Sequence, residues 1–96
     1  MILRHNLVYK IIYSEKSKEN IIGIMNFIWN FSSTKVISSI KKTIFLLEQF
    51  PEMWVEILED EREIIEPKYK YQIRYAIIWQ EIYILLIYKS NNIAWR

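Results

Sequence analysis

A chain of 96 residues, 52% hydrophobic and 16% aromatic, is long enough to bury one compact core and too short for two. One glycine, two prolines and no cysteine exclude a low-complexity chain, a disulfide scaffold and a thiolate metal site. The formal net charge of +2 conceals a segregation: seven acids stand against Arg62 alone between Pro51 and Glu66, and five bases against Glu81 alone from Pro67 onward.

The expectation is a single domain over residues 1–96, with 1–6 as a short N-terminal extension. Leu7 to Tyr13 (LVYKIIY) is apolar and β-branched, which suits a first strand that Ser14 ends. Ser14 is placed to cap a helix, with Glu15 in the first turn where the helix dipole favours an acid, and Ser17 to Asn20 offers an alternative start. Ile21, Met25, Ile28 and Trp29 then recur at helical spacing and predict a helix over Glu15 to Trp29. Asn30 to Thr34 (NFSST) reads as a turn too short to cross a domain, so the next helix returns antiparallel to the first. Val36, Ile37, Ile40, Ile44 and Leu47 form its apolar side, and it stops near Phe50 because Pro51 disfavours helical geometry in the residue before it.

Met53 to Leu58 is compatible with a loop or an irregular strand, and its acids favour a surface path. Arg62 to Glu66 reads as a short strand ended by Pro67, Tyr69 to Ile78 as a long one, and Ile82 to Tyr88 as the last, with Trp79, Gln80 and Glu81 in the turn. The predicted fold class is α+β: a strand, an antiparallel helical hairpin, then a three-stranded antiparallel meander, with the helices packed on one face of the sheet. In the long strand, Tyr71, Ile73, Tyr75 and Ile77 alternate with Lys70, Gln72, Arg74 and Ala76. One face therefore reads as core and the other as basic and open.

No Gly-rich phosphate loop, zinc spacing or Ser/His/Asp constellation is present, and the single His5 lies near the N-terminus. The acids Glu59, Asp60, Glu61 and Glu63 lack the central glycine of a cation loop and read as a solvated turn. Neither a metal nor a cofactor is expected. No run approaches the roughly 20 apolar residues of a membrane span. MILRHN also lacks the features of a secretory signal, so a cytoplasmic location without membrane contact is expected.

Several phrases, in this order, resemble the ParE/RelE superfamily of toxins from bacterial type II toxin–antitoxin modules: YKIIYSEKSKENIIGIMNFI (Tyr9 to Ile28), IFLLEQFPEM (Ile44 to Met53), REIIE (Arg62 to Glu66), YQIRYAI (Tyr71 to Ile77) and IYILLIYK (Ile82 to Lys89). The resemblance implies a cognate antitoxin as partner and one of two targets. ParE-like members poison DNA gyrase, whereas RelE-like members cleave mRNA at the ribosome with basic and aromatic residues on the open sheet face. Where the family commonly has a strand Arg this chain has Gln72, and where it often ends in His or Tyr followed by Arg this chain has Lys89, Ser90, Asn91 and Asn92. Those departures favour a gyrase-binding toxin. The alternatives are a ribosome-dependent endoribonuclease, or an inactive member that retains only antitoxin binding. Candidate target contacts are Arg62, Lys70, Arg74, Lys89 and Arg96, and candidate antitoxin contacts on the outer side of the helical pair are Phe27, Phe31 and Phe45.

Overall fold

The computed structural model describes residues 9–27 and 31–89, with the side chains of residues 27, 31 and 32 outside that description. Strand β1 (Lys10–Tyr13) leads into helix α1 (Glu15–Phe27), helix α2 (Phe31–Phe45) and a 3-10 turn (Leu46–Glu48). Strands β2 (Val55–Leu58), β3 (Glu61–Ile65), β4 (Tyr71–Ile78) and β5 (Glu81–Lys89) follow. They form one sheet in the order β1-β5-β4-β3-β2, antiparallel except where β1 runs parallel to β5. The α+β arrangement predicted from the sequence is the one found. The segment left open between loop and strand supplies β2, so the meander has four strands rather than three. A charged, short strand with a register shift between Glu56 and Leu58 suits a sheet edge, where only one ladder must be satisfied.

Ser14 does cap α1. Its hydroxyl accepts the Ser17 N–H at 3.0 Å and its carbonyl accepts the Lys18 N–H at 3.0 Å. The same residue fixes the helix to the sheet, because its N–H donates to Ile84 O at 3.0 Å and its hydroxyl to Leu85 O at 3.3 Å. Six residues on, Asn20 Oδ1 accepts the Ile87 N–H at 2.9 Å. Beyond Ile84 β5 has no β1 partner, and these two side chains cover that stretch of its edge. The second helix begins earlier than predicted: residues 31–34 lie in its first turn, where hydroxyl residues are tolerated because the leading N–H groups have no intrahelical acceptor. Leu7, Val8, and Ile28 to Asn30 lie outside the described residues.

The core joins Val36, Ile40, Ile44 and Leu47 to Ile64, Tyr71, Ile73, Tyr75, Ile82, Ile84 and Ile87 of the sheet. Tyr71, Ile73 and Tyr75 therefore occupy the face their alternation predicted. Strand β5 departs from strict alternation. Arg74 and Tyr75 are opposed by Leu86 and Ile84, which makes Leu85 an inserted residue and shifts the parity of everything after it.

The turn from β3 to β4 is built around Glu66, which is fully buried. Its carboxylate accepts the N–H groups of Lys68 and Tyr69, each at 2.8 Å, that of Tyr71 at 3.5 Å, and the Ser39 hydroxyl of α2 at 2.5 Å. Burial alone would raise its pKa, but these donors outweigh burial and hold it below the ordinary carboxylate value. Lys70 closes the turn at φ 66°, with its N–H on Glu66 O at 3.0 Å. The long strand consequently starts at Tyr71 rather than Tyr69, because a left-handed residue cannot continue a strand.

Candidate functional site on the open face of the sheet

Residues directly opposed on neighbouring strands share a face. The register thus lays out rows across the face away from the helices: Ile12, Tyr83, Ala76, Glu61 and Leu58; then Leu86, Arg74, Glu63 and Val55; then Tyr88, Gln72 and Ile65. At the centre Arg74 Nη2 lies 3.8 Å from Glu63 Oε2, and the Tyr88 hydroxyl donates to that same oxygen at 2.6 Å. The side chains of Arg74 and Glu63 are 34% and 15% exposed, so the pair is largely removed from solvent. The hydrogen bond to Glu63 raises the Tyr88 pKa, burial adds to it, and Arg74 opposes both. Tyr83 repeats the pattern at the neighbouring row, donating to Glu81 Oε1 at 2.6 Å, and its pKa is raised chiefly by that bond.

This face is therefore less basic than its sequence pattern promises. Among the described residues it carries Lys10 and Arg74 against Glu61, Glu63 and Glu81, a balance of one negative charge. Arg74 is the only described target-contact candidate on it. Arg62 is opposed to the buried Tyr75 and so lies on the helix side. Its Nη1 donates to Trp54 O at 2.8 Å and Glu52 O at 3.3 Å, and its Nη2 is 3.9 Å from Glu56. The Tyr75 hydroxyl donates to Pro51 O at 2.6 Å, so Arg62 and Tyr75 together hold the segment from Pro51 to Trp54. Burial, with Glu52 adding to it, pushes the Tyr75 pKa up to about 12 against the pull of Arg62.

Lys70 sits exposed in the β3–β4 turn, not beside Arg74. Lys89 is opposed to Tyr71, with its Nζ 5.4 Å from that ring centroid, and so cannot supply the charge missing at Gln72. Arg96 lies outside the described residues, as do the side chains of Phe27 and Phe31. Phe45 is 62% exposed at the end of α2.

Two features escape a reading of the sequence alone. Glu63 follows Arg62 directly in the strand, and only the register with β4 shows that the acid, not the base, meets Arg74. Trp79, expected merely to form a turn, is 91% exposed and held at φ 58° at the tip joining β4 to β5. A left-handed backbone costs a side chain other than glycine roughly 1–2 kcal/mol. Leu58 and Ile78, both exposed, lie at the same end of the sheet, which the Ile77 N–H to Asp60 O bond of 3.3 Å ties together.

Among the described residues no group of three or more His, Cys, Asp or Glu could hold a metal ion, and no helix is long and apolar enough to cross a membrane. No family model and no curated protein sequence matches the chain. In three dimensions it is similar to a chain described as belonging to the chromosomal ParDE TA system from P. aeruginosa, with a TM-score of 0.76 and 14% identity, over 90% of this chain and 100% of that one. At that identity the likeness is one of fold: a ParE-like arrangement of two helices against a five-stranded mixed sheet.

Proposed function

We propose that the chain is the toxin of a type II toxin–antitoxin module, held in check by a cognate antitoxin, and that it acts by binding a protein target, DNA gyrase, rather than by cutting RNA. The ParDE likeness supports the first part. The observation that carries the second is the pairing of Arg74 and Tyr88 with Glu63 at the centre of the open face. Arg74, its best placed cation, is matched by Glu63, and the surrounding carboxylates leave a field that repels a phosphate backbone. The exposed apolar end formed by Leu58, Ile78 and Trp79 suits a protein surface instead, since aromatic side chains at a projecting position anchor such contacts.

One observation favours ribosome-dependent RNA cleavage as a second reading. Cleavage through the 2′-hydroxyl needs a proton acceptor, a proton donor and a cation beside the phosphate, and Glu63, Tyr88 and Arg74 supply one of each within a single network. To act, Glu63 must surrender both of its partners on a face that is already net negative. That ranks the second reading below the first.

Induced expression of the chain alone is expected to arrest growth, and co-expression of the small reading frame adjacent to its gene to relieve the arrest. Normal growth with the intact protein accumulating counts against a toxin. Trp79→Gly separates the target contact from the fold. Glycine removes the left-handed strain, so thermal unfolding moves up by about 4–8 °C for each kcal/mol relieved, while growth arrest is lost with the aromatic anchor. Full arrest by the variant removes Trp79 from the contact.

A further inference from the structure

Between α2 and the β3–β4 turn lies a cleft of about 380 Å³ lined by Thr34, Lys35, Ser38, Ser39, Lys42 and Lys68. Its shape follows from features already fixed by the fold. The Ser39 bond to Glu66 draws the turn against the helix, and Lys68 is held there with its Nζ 5.4 Å from the Tyr69 ring centroid. Helix α2 contains no acid, and neither does the turn segment from Pro67 to Lys70. The carboxylate of Glu66, which meets the cleft lining through Ser39, is fully buried and engaged by four donors. Lys42 and Lys68 make no ion pair among the described residues. Two ammonium groups that face one cleft, neither of them ion-paired among the described residues, repel each other, and an anion between them removes that repulsion.

We infer that this cleft binds phosphate, presented by a nucleotide or by a nucleic-acid backbone. Every lining side chain is a lysine or carries a hydroxyl, so there is no apolar anchor of the kind that holds a peptide. Lysines act as mobile point charges toward a multiply charged phosphate, and the hydroxyls of Thr34 and Ser38 add donors to its oxygens. Lys70 in the same turn and Lys89 at the end of β5, opposed to Tyr71, extend the positive field beyond the cleft, as a backbone carrying several phosphates would use. This site is on the helix side of the sheet, away from the Arg74 network, and the inference holds whether or not the chain is a toxin.

Fluorescence anisotropy with a labelled short DNA duplex, competed by ATP or by polyglutamate, tests it. The intact chain is expected to bind the duplex with an affinity that falls steeply between roughly 50 and 200 mM salt. The pair Lys42→Glu with Lys68→Glu weakens binding about tenfold or more and lowers the salt slope by about 2, because two phosphate contacts are lost. Lys16→Glu with Lys18→Glu changes net charge equally but lies on α1, and leaves affinity within about twofold. Lys42→Gln with Lys68→Gln falls between, and circular dichroism of each variant shows the fold retained. Efficient displacement of the duplex by ATP assigns the cleft to nucleotides, and poor displacement to a nucleic-acid backbone. Equal loss in both Glu pairs, no binding to either phosphate probe at low salt, or polyglutamate binding as tightly as DNA would overturn the inference.

Discussion

Glu66→Gln lowers the midpoint of thermal unfolding by roughly 8–20 °C, the size expected for about 2–3 kcal/mol lost from a domain of this length. The carboxylate accepts from three backbone N–H groups and the Ser39 hydroxyl while fully buried. Gln presents an amide NH2 where one of those oxygens stood. The Ser39 hydroxyl can rotate to accept from it, but backbone N–H groups cannot, so at least one buried donor is stranded. The effect also has a direction with pH. The folded-state pKa of Glu66 is held below its unfolded value, so its contribution is complete above the ordinary carboxylate pKa and disappears as pH falls through the lowered one. Urea melts are therefore expected to show a full gap between intact protein and variant at pH 7, narrowing in acid below about pH 4. Equal midpoints at pH 7 would show that the turn does not depend on this carboxylate.

Ile73→Ala is expected to cost about 3–5 kcal/mol, and Ile73→Val about 0.5–1.5 kcal/mol. Ile73 lies in the middle strand of the sheet, with Ile64 opposed on one side and Ile87 on the other, and all three are at most 2% exposed. Ile73 is held in ladders on both sides, and all three residues belong to the core shared with α2, so the gap left by alanine cannot close by moving one strand. Paired urea titrations of the two variants measure the difference. A loss below about 1 kcal/mol for Ile73→Ala would mean that the row collapses around the gap and that the core is looser than its packing indicates.

Much of this framework was legible in the sequence because it depends on local chemistry. The Tyr71, Ile73 and Tyr75 alternation and the Ser14 cap each follow from neighbouring residues and are where they were expected, whereas α2, expected to run to near Phe50, ends at Phe45 and tightens into the 3-10 turn Leu46–Glu48 ahead of Pro51. What could not be read depends on long-range register. Arg62 and Arg74 are both basic strand residues, yet pairing puts one beneath the sheet against Trp54 and the other above it against Glu63. The inserted Leu85 carries no sequence signal, although it decides that Tyr88 joins the open face. Lys70 looked like a strand residue until Glu66 captured the turn and forced it left-handed. The apparent basic stripe thus divides among a turn, a loop clamp, an internal ion pair and a lysine on the far side. Of the residues nearest to chemistry, Glu63 reads in the sequence as part of a solvated acidic turn, and only strand pairing brings it to Arg74 and Tyr88.

The division between binding and cutting is measured most directly with purified, antitoxin-free protein. It is added in parallel to a DNA gyrase supercoiling reaction and to translating ribosomes whose message is mapped by primer extension. Inhibited supercoiling with an intact message is the predicted result. Ribosome-dependent cuts that vanish in Glu63→Gln and Tyr88→Phe, with supercoiling unaffected, would contradict it and assign catalysis to the Glu63, Arg74 and Tyr88 network.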